Sequence, residues 1–168
     1  MPTGPAARIT DNVMHPLPPV LTPGPGSMNV VIGKIPLPAW RGVSAAAAAA
    51  LQAAKAVSDA AIKVAQAAAT AGAATPAGPG LKAAEQTLIG SSAAAMGAMI
   101  SSMAGGADIH ACVTPFPVPP HGPGVVIDGS QTVMINNLPA CRMGDTILEP
   151  VGPPNKIMKG EMSVIIGG

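Results

Sequence analysis

The chain has no tyrosine, one tryptophan and one phenylalanine among 168 residues, which excludes an ordinary core centred on aromatic side chains. Charge is nearly as scarce: 10% of residues are charged and the formal net charge is +1, so there is no electrostatic footprint for nucleic acid. Two cysteines permit one disulfide at most. The opening Met1-Pro-Thr-Gly-Pro-Ala-Ala-Arg8 lacks the basic start and apolar run of a secretory leader. The chain is therefore expected to fold in a reducing cytoplasm, which favours thiolate–metal chemistry over a disulfide. With so few large side chains to bury, its core needs a supplement, and a small fold finds one in disulfides, a structural metal or oligomerisation.

What the chain has instead is 20 glycines, 20 prolines and 10 methionines, and a repeat. Gly129-Ser-Gln-Thr-Val-Met-Ile-Asn136 aligns with Gly26-Ser-Met-Asn-Val-Val-Ile-Gly33 and with Gly160-Glu-Met-Ser-Val-Ile-Ile-Gly167. The following Ala140-Cys-Arg-Met-Gly-Asp145 matches Ala6-Ala-Arg-Ile-Thr-Asp11, with a shorter echo in Ala39-Trp-Arg-Gly42. Recurrence of this kind means one small structural unit used several times. Val133 and Ile135 alternate with Thr132 and Met134 between turn residues, the period of a short strand with two unlike faces. Three such strands predict a small pseudo-threefold body in which each repeat supplies one wall.

Composition divides the chain into three parts. Residues 1–43 are rich in proline and glycine, and the stretch from Pro16 to Gly26 is too rich in proline for helix or central strand. Residues 44–106 shift to Ala, Ser, Gly and Met, and residues 107–168 return to the first style, so the middle part reads as an insertion into one domain. Ser44 as N-cap, the alanine run, Gly72 as a stop and Thr75-Pro-Ala-Gly-Pro-Gly80 as a turn predict two helices, the second from about Leu81 to Ala104. Polar residues Gln52, Lys55, Asp59, Lys63, Gln66 and Thr70 share one face of the first helix, which argues against a membrane span. The second carries no charge after Glu85 and is long enough to cross a bilayer, but Ala, Ser and Gly contribute little insertion energy. A tight helical hairpin is the expectation, with a membrane segment as the alternative.

Chemistry is concentrated in the three histidines, His15, His110 and His121, and in Cys112, two residues beyond His110. Imidazole and thiolate ligands in this number suit a tetrahedral structural zinc. Equally, a histidine beside a proline loop is commonly a surface residue, and Cys112 can serve as a small buried hydrophobe. Cys141 occupies the place that Ala7 holds in the parallel repeat, which suggests packing. A Cys112 nucleophile with a histidine base would make an enzyme, but the chain offers no separate cleft-forming domain.

These residues carry a family resemblance. Ala6-Ala-Arg8-x-x-Asp11-x-x-x-His15 is similar to the prePAAR motif, and Asp108-Ile-His-Ala-Cys112, His121-Gly-Pro-Gly124, Gly129 to Asp145 and Gly160 to Gly167 resemble a PAAR domain. The resemblance implies a mainly β, conical fold of three strand-bearing repeats with zinc near the apex, completed by the N-terminal segment and interrupted here by the Ala-rich helical hairpin. It implies His15, His110, Cys112 and His121 as metal ligands. Glu149 stands where many members carry a further cysteine or histidine four residues beyond the aspartate. Glu149 is then either an oxygen ligand or outside the set, and because those four already form a set it is expected outside.

The family's function implies a non-enzymatic tip, one monomer per trimer of the spike protein VgrG, in a bacterial type VI secretion or related contractile injection system. Such a tip waits in the bacterial cytoplasm, is delivered on firing, and meets the target membrane transiently. Its partner surface is expected at Val30, Ile32, Val133, Ile135, Val164 and Ile166. An effector, or a chaperone for the helical insertion, are further partners, and the alternative function is a membrane-active or chaperone-dependent delivery module acting through that insertion.

Overall fold

The computed structural model describes residues 3–22, 25–115 and 120–167. Pro23 and Gly24 of the Pro16 to Gly26 stretch, and residues 116–119 of the proline loop that precedes His121, lie outside the described residues. In chain order the elements are β1 (Gly4–Ala6), β2 (Val31–Ile32), β3 (Leu37–Pro38), α1 (Ala45–Gly72), α2 (Gly78–Met103), β4 (His110–Pro115), β5 (Pro120–Val126), β6 (Met134–Ile135), β7 (Leu138–Pro139), β8 (Thr146–Leu148), β9 (Asn155–Lys156) and β10 (Glu161–Ile166).

Each repeat forms a strand that pairs with a proline-bearing partner. Strands β2 and β3 place Val31 opposite Pro38, and β6 and β7 place Met134 opposite Pro139. The second hairpin turns through Asn136 and Asn137 at φ 53° and 63°, left-handed values that asparagine tolerates better than most residues. The third copy is assembled from the two ends of the described chain: β10 pairs with β1, and Ile165 faces Pro5.

Backbone hydrogen bonds tie the copies into rings. Ala7 N donates to Cys141 O (2.9 Å), Cys141 N to Trp40 O (3.1 Å), and Trp40 N to Ala7 O (2.9 Å). A second ring runs from Ile9 N to Pro38 O (3.0 Å), Gly42 N to Pro139 O (2.9 Å) and Met143 N to Pro5 O (2.8 Å). Pairing every donor this way meets the demand that buried backbone groups be satisfied, without long strands. Ala6, Ala39, Ala140, Ile32, Ile135 and Ile166 fill the space inside the repeats. Only small residues and one branched side chain per copy are needed there, which explains how the body forms with so few aromatics.

An arginine–aspartate turn follows each proline. Arg8 N donates to Asp11 Oδ2 at 2.8 Å and Arg142 N to Asp145 Oδ2 at 2.8 Å, and both guanidinium groups return to the same carboxylates. The middle copy has no aspartate three residues beyond Arg41. Its partner is Asp108, 67 residues away, which accepts from Arg41 N (2.7 Å), Nε (3.0 Å) and a terminal nitrogen (2.7 Å). Asp108 N also donates to Arg41 O at 3.0 Å, as Asp11 N does to Arg8 O and Asp145 N to Arg142 O at 3.2 Å. The helical insertion thus lies inside one turn motif, and the fold closes that motif around it.

Within the insertion, α1 begins where the Ser44 hydroxyl accepts from Ala47 N at 3.3 Å, relieving one of the unpaired donors of a helix start. It ends at Gly72, and α2 starts at Gly78 with Pro79 in its first turn, where a missing N–H is harmless. The buried residues Ala48, Leu51, Lys55, Ile62 and Ala69 step at helical spacing along α1, as do Glu85, Ile89, Met96 and Ile100 along α2. These stripes face both each other and the β-body: Leu51, Met96 and Ile100 share a cluster with Val43, Val125 and Leu148. Full burial of such side chains is worth about 1.5–3 kcal/mol each, so the hairpin is packed onto the body rather than hung from it. Among the described residues no helix is long and apolar enough to cross a membrane.

The expectation of a mainly β fold holds only outside the insertion. Two helices of 28 and 26 residues outweigh the strands, most of which are two or three residues long. The largest sheet is antiparallel in the order β4-β5-β8-β9; it carries Cys112 and His121, and Glu149 directly follows β8.

Candidate metal centre

Four buried side chains, His15, Cys112, His121 and Glu149, converge so that one ligand atom from each lies within 4.8 Å of all the others. Three of them stand four residues beyond the aspartate of their own repeat: Asp11 and His15, Asp108 and Cys112, Asp145 and Glu149. Each of the three equivalent turns thus contributes one side chain, four residues on, to the group. His121, on β5, is the fourth.

Between these atoms the separations are His15 Nδ1 to His121 Nδ1 3.2 Å, His15 Nδ1 to Glu149 Oε2 3.1 Å, His121 Nδ1 to Glu149 Oε2 2.6 Å and Cys112 Sγ to His15 Nδ1 3.6 Å. Ligands bound at about 2.0–2.3 Å in a tetrahedron sit about 3.3–3.7 Å apart. Three of the separations are close to those edges, and the shortest is a hydrogen bond that a metal would replace.

Surrounding contacts hold the donors in place. Asn155, fully buried, donates to Glu149 Oε1 at 3.1 Å and accepts from the backbone N of Met14 (3.0 Å) and of His15 (3.1 Å). One side chain therefore orients one donor and anchors the segment of another, the outer support that metal sites commonly need. The His121 ring lies over Gly152, where an added Cβ would fall 2.6 Å from Nε2 at a positive φ of 82°. Glycine is required there on both counts.

The electrostatics also fit a cation. Burial pushes Glu149 up to about 7 and the Cys112 thiol up from its ordinary value. Burial lowers His15, and it lowers His121 to about 4, helped by the neighbouring His15 and Lys55. Every member thus resists carrying charge where it stands. A divalent ion reverses that: a thiolate and a carboxylate supply two negative charges and two neutral imidazoles complete the set, so the buried unit is neutral. The donor set therefore fits a divalent metal, and these four residues would hold it.

The sequence reading placed His110 in the set and Glu149 outside; the structure gathers Glu149 and sets His110 apart. His110 and Cys112 lie on the same buried face of β4, but His110 is not among the residues whose ligand atoms come together. His110 is fully buried, its Nδ1 is 3.4 Å from Thr22 Oγ1, and its Nε2 has no hydrogen-bond partner among the described residues. Burial and the proximity of His15 lower it to about 4. Cys141 is fully buried in the cluster around Trp40, remote from the group of four. Of the strand residues expected at a partner surface, Ile32, Ile135 and Ile166 point into the core, Val30 is half-buried, and Val133 and Val164 are at its rim.

The spacing of four beyond each aspartate would have selected Glu149 over His110. The middle aspartate is recognisable as a repeat member only once it is seen to pair with Arg41. No curated protein and no solved structure matches the chain. Residues 118–168 match the family model described as the PAAR motif, a span holding His121, Glu149, the β6–β7 hairpin and β10.

Proposed function

We propose that this protein is the non-enzymatic, zinc-stabilised tip that caps the trimeric VgrG spike of a bacterial type VI secretion or related contractile injection system, with one copy per trimer. The observation that carries the reading is threefold equivalence within a single chain. Three repeats closed by rings of backbone hydrogen bonds offer a trimer three like surfaces at once, and the PAAR motif, matched over residues 118–168 and so over the two C-terminal repeat segments, is generally associated with that partner.

The outward side of the repeats supplies the contact. Val31, Met134 and Ile165 are equivalent by register and are 56%, 53% and 60% exposed; Met28, Ile35 and Met162 are exposed on the same segments. Side-chain contacts are made by this set and by the rim residues Val133 and Val164, while Ile32, Ile135 and Ile166 support them from inside. Exposed strand edges add main-chain hydrogen bonds, a common mode of augmentation. Zinc is the metal that suits a closed set of two imidazoles, a thiolate and a carboxylate without redox chemistry. The raised Cys112 thiol is the opposite of an activated nucleophile, which supports a structural role. The tip is held in the bacterial cytoplasm before firing and delivered with the spike.

Mass measurement of the purified complex tests this. One chain per spike trimer is expected, with binding weakened when Val31, Met134 and Ile165 are each changed to Asp while zinc content stays native. Three chains per trimer, or no complex with any VgrG of the same genome, defeats it.

A further inference from the structure

The hairpin and the metal centre share no residue, yet the packing joins them. Gly97, on the buried stripe of α2, sits against two prolines: a Cβ built on it would lie 3.5 Å from Cδ and Cγ of Pro123 and 3.8 Å from Cγ of Pro150. Pro150 is also close to Gly122, where a Cβ would approach Pro150 Cγ to 3.2 Å. Pro123 is two residues beyond His121, and Pro150 directly follows Glu149. Next in the chain, Val151 packs with Ile62 of α1 and Ile89 of α2, and Gly152 seats the His121 ring. From α1, Lys55 is buried and paired with Asp59 at 2.8 Å.

We infer that docking of the helical hairpin and occupancy of the metal centre are coupled: the hairpin holds the segments of His121 and Glu149 in ligating positions, and the bound metal holds the hairpin down. The inference rests on the proposed metal-binding reading. Pro150 is the transmitting part. Its ring fixes the backbone immediately after Glu149, so a shift of the ring beside Gly97 and Gly122 displaces the carboxylate instead of being absorbed by rotation. Coupling between two binding events is reciprocal, and it is therefore measurable from either side.

The test uses the full chain and zinc. Hydrogen exchange followed by mass spectrometry is compared between zinc-loaded protein and protein stripped with a chelator. Exchange in α1 and α2 should quicken on stripping and slow again when zinc returns. In the second arm, Gly97→Leu should weaken zinc affinity at least tenfold in chelator competition, because its side chain cannot fit against Pro123 and Pro150. Gly97→Ala, whose Cβ makes ordinary contacts, should keep native affinity, as should Val64→Leu on the exposed face of α1. Helices that exchange at the same rate with and without zinc in a folded protein overturn the coupling. So does a Gly97→Leu chain with native zinc affinity and loosened helices. If stripping unfolds the whole chain, the Gly97→Leu affinity decides; if Gly97→Leu does not fold, the exchange of the native chain decides. Native protein that takes up no zinc overturns the metal reading itself, and is distinguishable from zinc-binding protein with uncoupled helices.

Discussion

The β-body and the helical hairpin reach an ordered structure by different physics. The body combines an apolar cluster around Trp40, Leu21, Ile147 and Ile157 with specific geometry: rings of backbone hydrogen bonds, three arginine–aspartate turns and four convergent ligands. The hairpin satisfies its backbone internally, and burial of one stripe per helix orients it. A body of the first kind is stable only when its specific contacts are all made, so single polar residues matter greatly in it. Apolar volume governs the hairpin, and most of its surface tolerates change.

The largest break in this comparison is expected at the metal. Structural zinc contributes roughly 10–16 kcal/mol in small metal-dependent folds, so Cys112→Ala or Glu149→Gln should release zinc and lower the melting temperature sharply. His110→Ala should retain the metal. Metal analysis beside calorimetry checks this, and zinc loss from His110→Ala with retention in Glu149→Gln would restore the ligand set expected from the sequence.

Next in size is the split turn. Asp108 is fully buried and takes three hydrogen bonds from Arg41, so Asp108→Ala leaves the guanidinium without its counter-ion. Removing one partner of a buried pair costs about 3–5 kcal/mol. Urea denaturation should show a loss of that order.

In the hairpin the sensitive positions are apolar. Leu51→Ala removes a fully buried side chain from the cluster that joins the helices to Val125 and Leu148, and should cost about 2–5 kcal/mol. Val57→Ala, on the exposed face, should change stability by less than about 0.5 kcal/mol. If both variants melt like the native chain, the hairpin is not packed as described.

The smallest effect is expected at the helix start. Ser44→Ala removes the cap on Ala47 N and should cost about 1 kcal/mol. Ser44→Asp should restore it. Faster amide exchange confined to the first turn of α1 is the signature.

Much of this architecture was legible in the sequence. The repeats declare themselves in Gly26, Gly129 and Gly160 and the strands that follow. Ser44 and Gly72 mark the ends of α1 through local capping chemistry, and His15, Cys112 and His121 stand out because chemically capable residues are so rare. The exchange of His110 for Glu149 was less legible, since His110 has the more familiar ligand chemistry and lies only two residues from Cys112. Its exclusion follows only from which side chains the fold brings together. The exposed and buried faces of the strands were ambiguous for a similar reason: Val31 and Ile32 are both apolar, and only packing around Ala6, Ala39 and Ala140 decides which turns inward.

By itself the sequence determined what is local: where α1 begins and stops, that one unit recurs, and that the core cannot be built mainly from aromatics. Those features depend on neighbours within a few residues, through dihedral preference, capping and periodicity. Tertiary structure alone decided what is joined across distance. It paired Arg41 with Asp108 over the inserted hairpin, built the third repeat from β1 and β10, and brought Glu149 rather than His110 to the two imidazoles and the thiol. Each depends on contacts between residues far apart in the chain, a condition that no short stretch carries and that exists only once the rings of backbone hydrogen bonds have closed.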